Sequence, residues 1–147
     1  MRIGITTMPP RGVAISLISG SNERCLARFF KDQETNDGAD GNLQLTANVV
    51  EIEMIFYDGL QEELESNFDS YFEKARVLEL NAEKAKVLAN IENELIKTDY
   101  KCWKHADGDL SDEEYSTTKE IRANLRVKYK NVEKAETLET LSKIANA

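Results

Sequence analysis

The longest hydrophobic pattern in the chain runs from Gly59 to Gly108, and no Gly or Pro interrupts residues 60 to 107. Apolar side chains recur at Leu60, Leu64, Phe68, Tyr71, Phe72, Ala75, Leu78, Ala82, Ala85, Leu88, Ile91 and Leu95. Steps of three and four residues put them on one helical face. The spacing predicts a single long helix, roughly 70 Å at 1.5 Å per residue. Asp58 followed by Gln61 has the spacing of a capping box, so the N-cap is expected at Asp58. Glu62 and Glu63 then fall where the helix dipole favours acids. Thr98-Asp99 either ends the helix or sits inside it; Tyr100, Trp103 and Lys104 extend the amphipathic pattern and favour continuation to His105.

A second helix is signalled more sharply. Residues 106–110 read as a turn, after which Ser111 and Glu114 form a capping box and Leu110 and Tyr115 take the positions of a hydrophobic staple. The stripe that follows is Tyr115, Ile121, Leu125, Tyr129, Val132, Ala135, Leu138, Leu141 and Ala145, with no Gly or Pro after residue 108. Two stripes joined by a short turn predict a long antiparallel helical hairpin or coiled coil over 58–147. Leu110, Tyr115, Ile121, Leu125 and Tyr129 are its expected packing residues. The second helix covers only the distal part of the first. Leu60, Leu64, Phe68, Tyr71, Phe72, Ala75 and Leu78 are therefore expected to form an oligomer interface.

Before the helices the period changes. Five of the seven Gly and both Pro lie within residues 1–48. Segments 2–6 and 13–18 are rich in β-branched residues and are separated by Pro9-Pro10-Arg11-Gly12, which predicts two short strands around a turn. Residues 25–30 fit either a third strand or a helical turn. Residues 31–42 are polar and punctuated by Gly, as in a loop. Alternation over 49–56 predicts a strand; the rival is an early helix start with Val49, Ile52, Ile55 and Phe56 on one side. The fold class is α+β, with a small β-rich docking region at 1–57 followed by the helices of 58–147.

Charge narrows the function classes. The net charge is −8. Residues 1–50 carry five acids and five bases, and residues 74–147 carry fourteen of each. The imbalance lies in 51–73, where Glu51, Glu53, Asp58, Glu62, Glu63, Glu65, Asp69 and Glu73 face no base in sequence. Direct phosphate binding needs clustered Lys and Arg, so no direct nucleic-acid partner is expected. The acidic window reads as a solvated helix start, with a basic partner as the alternative. Cys25 and Cys102 stand in no paired motif, which leaves their pairing open. No apolar run approaches ~20 residues, so no membrane partner is expected. Val13–Ile18 is too short for a signal peptide and lacks a small-x-small cleavage site.

Little catalytic chemistry is legible. Cys102-x-x-His105 is half of a metal pair without a second half. Asp107, Asp109 and Ser111 resemble the first ligands of a calcium loop, but Asp112 stands where that loop needs Gly and Thr118 where it needs Glu. No phosphate-binding, nucleophile-elbow or zincin motif occurs. Tyr71-Phe72 and Tyr100/Trp103 have helical spacing and read as packing clusters. The chain is expected to be no enzyme and to need no cofactor or metal.

The stretches Leu95-Ile96-Lys97-Thr98-Asp99-Tyr100-Lys101, Asp107-Gly108-Asp109-Leu110-Ser111-Asp112-Glu113-Glu114-Tyr115 and Arg122-Ala123-Asn124-Leu125-Arg126 carry a resemblance. Together they resemble a helical hairpin near the C-terminus of bacteriophage tail-fibre, baseplate and tail-assembly proteins, especially those of Gram-positive hosts. The match covers about a quarter of the chain. Cys102-Trp103-Lys104-His105 stands where that family often has small apolar residues. The resemblance implies a non-catalytic structural part of a virion or tail-like particle, assembled in the host cytoplasm. It implies a homo-oligomer, with a trimer favoured, and other tail or baseplate proteins as partners. A tail-assembly chaperone is a close variant. An acidic inhibitor that mimics nucleic acid, and a cytosolic coiled-coil adaptor, are the rival classes.

Overall fold

The structure, a computed structural model, describes residues 2–5, 9–20, 23–37 and 43–147. Strands β1 (Arg2–Ile5), β2 (Val13–Leu17), β3 (Arg24–Asp37) and β4 (Leu43–Ile55) form one antiparallel sheet in the order β1-β4-β3-β2. The register sets Phe29 between Val13 and Val50, and Ala27 between Ile15 and Ile52. Because side chains alternate along a strand, Val13, Ile15, Cys25, Ala27, Phe29, Val50, Ile52 and Met54 share one face. The other face carries ion pairs, Arg28 with Glu51 across the ladder at 2.9 Å and Arg24 with Glu53, beside Leu26, Phe30 and the buried Val49.

Three strand expectations are resolved here. Residues 25–30 are strand rather than helical turn, since their alternation places Cys25, Ala27 and Phe29 inward. The strand reading of 49–56 holds through Ile55, and β4 begins earlier, at Leu43. Residues 31–37 are strand, not the loop inferred from their polarity. Polarity reports an exposed position, and an exposed backbone still completes a ladder. The pairing shifts between Lys31 and Glu34, where Asp32 takes φ 54°. Residues 38–42 of that expected loop, and Thr6 of the first expected strand, lie outside the described residues.

The turn before β2 needs its glycine. Gly12 has φ 74°, and a Cβ there would lie 2.7 Å from the Phe30 carbonyl oxygen and 3.2 Å from the Phe68 ring.

The long helix is two helices, α1 (Leu60–Ser66) and α2 (Phe68–Ala106). Asn67 lies between them at φ −116°, ψ 29°. Its side-chain amide donates to the Glu63 carbonyl at 3.1 Å, the same oxygen its backbone N–H uses at 3.0 Å. Asn side chains compete for backbone partners in this way. The expected Asp58/Gln61 capping box is absent. Gly59, at φ 93°, is the N-cap and offers no side-chain acceptor. The chain leaves β4 through a left-handed residue, which favours Gly there. Gln61 instead donates to Glu65 at 2.7 Å and to the Val13 carbonyl at 3.4 Å.

The largest departure concerns the expected oligomer interface. Leu60, Leu64, Phe72 and Ala75 are buried in one core with Val13, Cys25, Ala27, Phe29, Val50 and Ile52, and Phe68 and Tyr71 pack against it. Only Leu78 of the seven is exposed. A helical stripe shows that a partner exists but not which one; here it is the chain's own sheet. For the same reason the chain divides into compact units at Glu79/Leu80, inside α2, rather than at the compositional boundary 57/58.

In the unit Leu80–Ala147, α2 continues through Thr98 and Asp99 to Ala106, one residue beyond the expected end. Gly108 at φ 81° then closes the helix, with its N–H on the His105 carbonyl and the Asp109 N–H on the Lys104 carbonyl. This pair of bonds is a Schellman stop. Helix α3 (Asp112–Lys134) starts on the expected capping box: the Glu114 N–H donates to Ser111 Oγ at 3.3 Å, and the Ser111 N–H donates to Glu114 Oε2 at 2.9 Å. Ser111→Ala is expected to cost about 1 kcal/mol in urea unfolding, with Ser111→Asp nearly neutral; equal behaviour of the two would contradict the cap. The second helix was expected to run to Ala145, but it stops at Lys134. Thr137 caps a separate helix, α4 (Leu138–Asn146), by accepting from the Thr140 N–H at 3.1 Å. Ile91, Val132, Ala135 and Leu141 form the core of this unit, with Leu80, Val87, Leu88, Leu95, Leu125, Tyr129 and Ile144 against it.

Candidate functional site

Four residues of the resembling stretches meet in space. Arg122, on α3, reaches α2: its Nη1 donates to the Leu95 carbonyl at 2.9 Å, to Asp99 Oδ1 at 2.9 Å, and to Thr98 Oγ1. The Thr98 hydroxyl also donates to the Leu95 carbonyl at 2.7 Å. One nitrogen, Nη1, makes all three contacts, sharing its two N–H groups among three acceptors while the guanidinium keeps its charge beside Asp99. Tyr115 stacks on His105 with ring centroids 4.3 Å apart, and its hydroxyl lies 3.1 Å from Cys102 Sγ. His105 Nε2 bonds Asp112 Oδ1 at 2.7 Å. Further along, Tyr129 donates to Glu92 at 3.3 Å and Lys84 donates to the Glu133 carbonyl at 2.9 Å. Contacts thus pair late α2 with early α3 and early α2 with late α3.

The face of α3 that meets α2 is Tyr115, Thr118, Arg122, Leu125, Tyr129 and Val132. Tyr115, Leu125 and Tyr129 were expected in this role. Leu110 is half-buried, and Ile121 is exposed on another face. Thr118, only 3% exposed, and Arg122 were missed. Their spacing of three and four was visible; their polarity concealed them.

The remaining candidates are engaged in packing or capping. Cys102 and His105 serve Tyr115 and Asp112, both cysteines are free thiols, and Ser111 is the N-cap. Among the described residues, no group of three or more His, Cys, Asp or Glu could hold a metal ion. No helix among them is long and apolar enough to cross a membrane. An open groove of about 650 Å³ runs beside Ile121, Leu125, Val127, Lys128 and Ile144.

The acidic window of the first unit is largely paired with bases from elsewhere. Arg11 meets Glu65 at 3.0 Å, Lys31 meets Asp69 at 2.8 Å, and Arg76 meets Glu73 at 3.1 Å, besides the pairs of Glu51 and Glu53. Glu63 accepts hydrogen bonds from both Tyr57 and Tyr71. These bonds hold the Glu63 carboxyl below its usual range and push Tyr57 up to about 12. A carboxylate with a lowered folded-state pKa contributes stability above its unfolded pKa and loses it as pH falls through the folded value. The stability gap between wild type and Glu63→Gln is therefore expected to be widest at neutral pH. It should close below about pH 4, as read by urea unfolding across pH; a gap independent of pH would contradict the bonds. The raised Tyr57 works in the opposite direction: its contribution is present below about pH 10 and is lost as pH rises through about 12.

Comparison with protein-family models, with curated proteins and with solved structures finds no match.

Proposed function

We propose that the chain is a non-catalytic structural component of a phage tail or phage-tail-like particle, fibre- or baseplate-associated, acting through protein–protein assembly. The observation that carries this reading is the Arg122 clamp. Leu95, Thr98, Asp99 and Arg122, the residues of the resembling stretches that flank the turn, are joined by one guanidinium. In this reading α2 and α3 are the two arms of the helical hairpin, and the motif is a device for closing it. The exposed side chains of α2 supply a coiled-coil surface, self-association is part of the assembly, and the N-terminal sheet docks to other tail or baseplate proteins. The site of action is the virion or particle, assembled in the host cytoplasm.

The acidic-mimic reading is weakened by the ion pairs of the first unit. A mimic needs a free negative field, whereas Glu51, Glu53, Glu65, Asp69 and Glu73 each face a base. The test is quantitative mass spectrometry of density-purified particles from the organism that encodes the chain. Stoichiometric presence in the particle is expected. Presence only in assembly intermediates would identify a chaperone, and absence from both would end the tail reading.

A further inference from the structure

Helix α3 carries a ladder of bases. Arg122, Arg126, Lys130 and Lys134 stand at steps of four residues, and no other run of bases at that spacing in the chain is longer than two. Side chains at i and i+4 are neighbours on a helix, and like charges there are unfavourable. Elsewhere the chain offsets its helical bases: Arg76, Lys86 and Lys97 each sit three residues after the glutamate they pair with, and Lys143 sits four after Glu139. Arg122 turns to α2 and meets Asp99. Arg126, Lys130 and Lys134, with Lys119, are exposed, and among the described residues none of these four meets a carboxylate at ion-pair distance.

At about 100° per residue, Lys119, Ala123, Arg126, Val127, Lys130 and Lys134 fall in one arc roughly 100° wide. From Lys119 to Lys134 no other residue shares it, and it is turned away from the Tyr115–Val132 face that meets α2. Ala123 is exposed and Val127 is 58% exposed. Glu120 and Glu133 border the arc, one on each side. The surface is therefore a single row of cations roughly 22 Å long at 1.5 Å per residue, with two apolar side chains in it and an acid on each rim.

These features say what the row takes. Its charge calls for an anion. The rise of about 6 Å from Arg126 to Lys130 and again to Lys134 matches carboxylates at four-residue steps on a second helix. Ala123 and Val127, themselves four apart, give that helix an apolar seat among the charges. A nucleic acid fits worse: its phosphates, one charge per ~1.7 Å of duplex, would run against Glu120, Glu133 and a chain of net charge −8. A second copy has no acids to offer in this pattern. Glu65, Asp69 and Glu73 are the only three acids in succession at four-residue steps, and each already faces a base, Arg11, Lys31 or Arg76.

We propose that the outer face of α3 docks an acidic helix of a different protein chain, its carboxylates at four-residue steps opposite Arg126, Lys130 and Lys134. The proposal rests on the assembly reading for the setting of that partner and gives the partner a chemistry. Its test needs only the purified chain, so its failure leaves the tail assignment to the particle measurement.

The probe is an alanine-based helical peptide with glutamate at every fourth position, titrated against the full chain at low salt by fluorescence anisotropy. Saturable binding that weakens as salt rises is expected. Arg126→Gln with Lys130→Gln should weaken it at least about fivefold, the scale for two ion pairs lost from a docked helix. The melting temperature of that variant should be unchanged or higher, because the substitutions relieve like-charge neighbours. A peptide of the same composition with its glutamates clustered at one end, duplex DNA of equal charge, and phosphatidylserine vesicles should each bind more weakly. No binding of the probe at low salt, equal binding of the clustered peptide, tighter binding of the duplex or the vesicles, or a lowered melting temperature in the double variant would each overturn the proposal.

Discussion

Phe29→Ala is expected to cost about 3–5 kcal/mol, the range for removing a fully buried aromatic ring. Phe29 has no exposed surface. It stands opposite Val13 on β2 and Val50 on β4. Its ring meets Phe68 edge-on at 5.8 Å and lies parallel to Tyr71 at 6.2 Å. A sheet on one side and a helix on the other limit collapse into the space, so the cavity cost adds to the lost burial. Against a typical domain stability of about 5–15 kcal/mol, this is a large fraction. The companion variant is Leu64→Ser, at a position read from sequence as an interface. A core residue destabilises by the same amount at every protein concentration, whereas an interface residue gives a cost that varies with concentration. Circular dichroism in urea at several concentrations checks both. A Phe29→Ala cost under about 1 kcal/mol, or a Leu64→Ser cost that tracks concentration, would contradict the core described here.

Arg122→Ala is expected to cost about 2–4 kcal/mol in the second unit, as partners of a largely buried charge lose their donor. The Arg122 side chain is 13% exposed and Asp99 40%. Truncation leaves the Leu95 carbonyl with the Thr98 hydroxyl as its remaining side-chain donor and leaves Asp99 without its cation. Arg122→Lys should recover only part, because its ammonium sits on a shorter stem than Nη1, the one nitrogen that makes all three contacts. Thr98→Val should cost less, since Arg122 keeps Leu95 and Asp99. Trp103 fluorescence in urea follows this unit, because it is the chain's one tryptophan. A cost for Arg122→Ala under about 1 kcal/mol would reduce the clamp to a surface ion pair of the ordinary kind.

Local signals in this chain were readable without coordinates. The Ser111/Glu114 box, the Gly108 stop and the alternation over Val50, Ile52 and Met54 each act within a few residues. So does the three-and-four spacing of Leu60 to Ala75. Neighbours in sequence are neighbours in space for such features, so the pattern and its cause coincide. The same locality made the helix break at Asn67 and the Thr137 cap hard to see, because neither carries a Gly or Pro and each depends on one side chain competing for a backbone group.

Tertiary packing decided the rest. Periodicity declares that Leu60, Leu64, Phe68 and Phe72 must be covered, but burial is non-directional, and a sheet face or another helix would satisfy it equally. The sheet became the partner because β2, β3 and β4 align Val13, Phe29 and Val50 across strands far apart in sequence. The polarity of Arg122 marked it as solvent-facing until α2 supplied a carbonyl, a hydroxyl and a carboxylate within reach. The acidic run at 51–73 looked unopposed because its bases arrive from residues 11, 24, 28 and 31 through the fold. Each of these turns on which distant residue stands opposite, and a one-dimensional pattern encodes a need for contact without encoding its address.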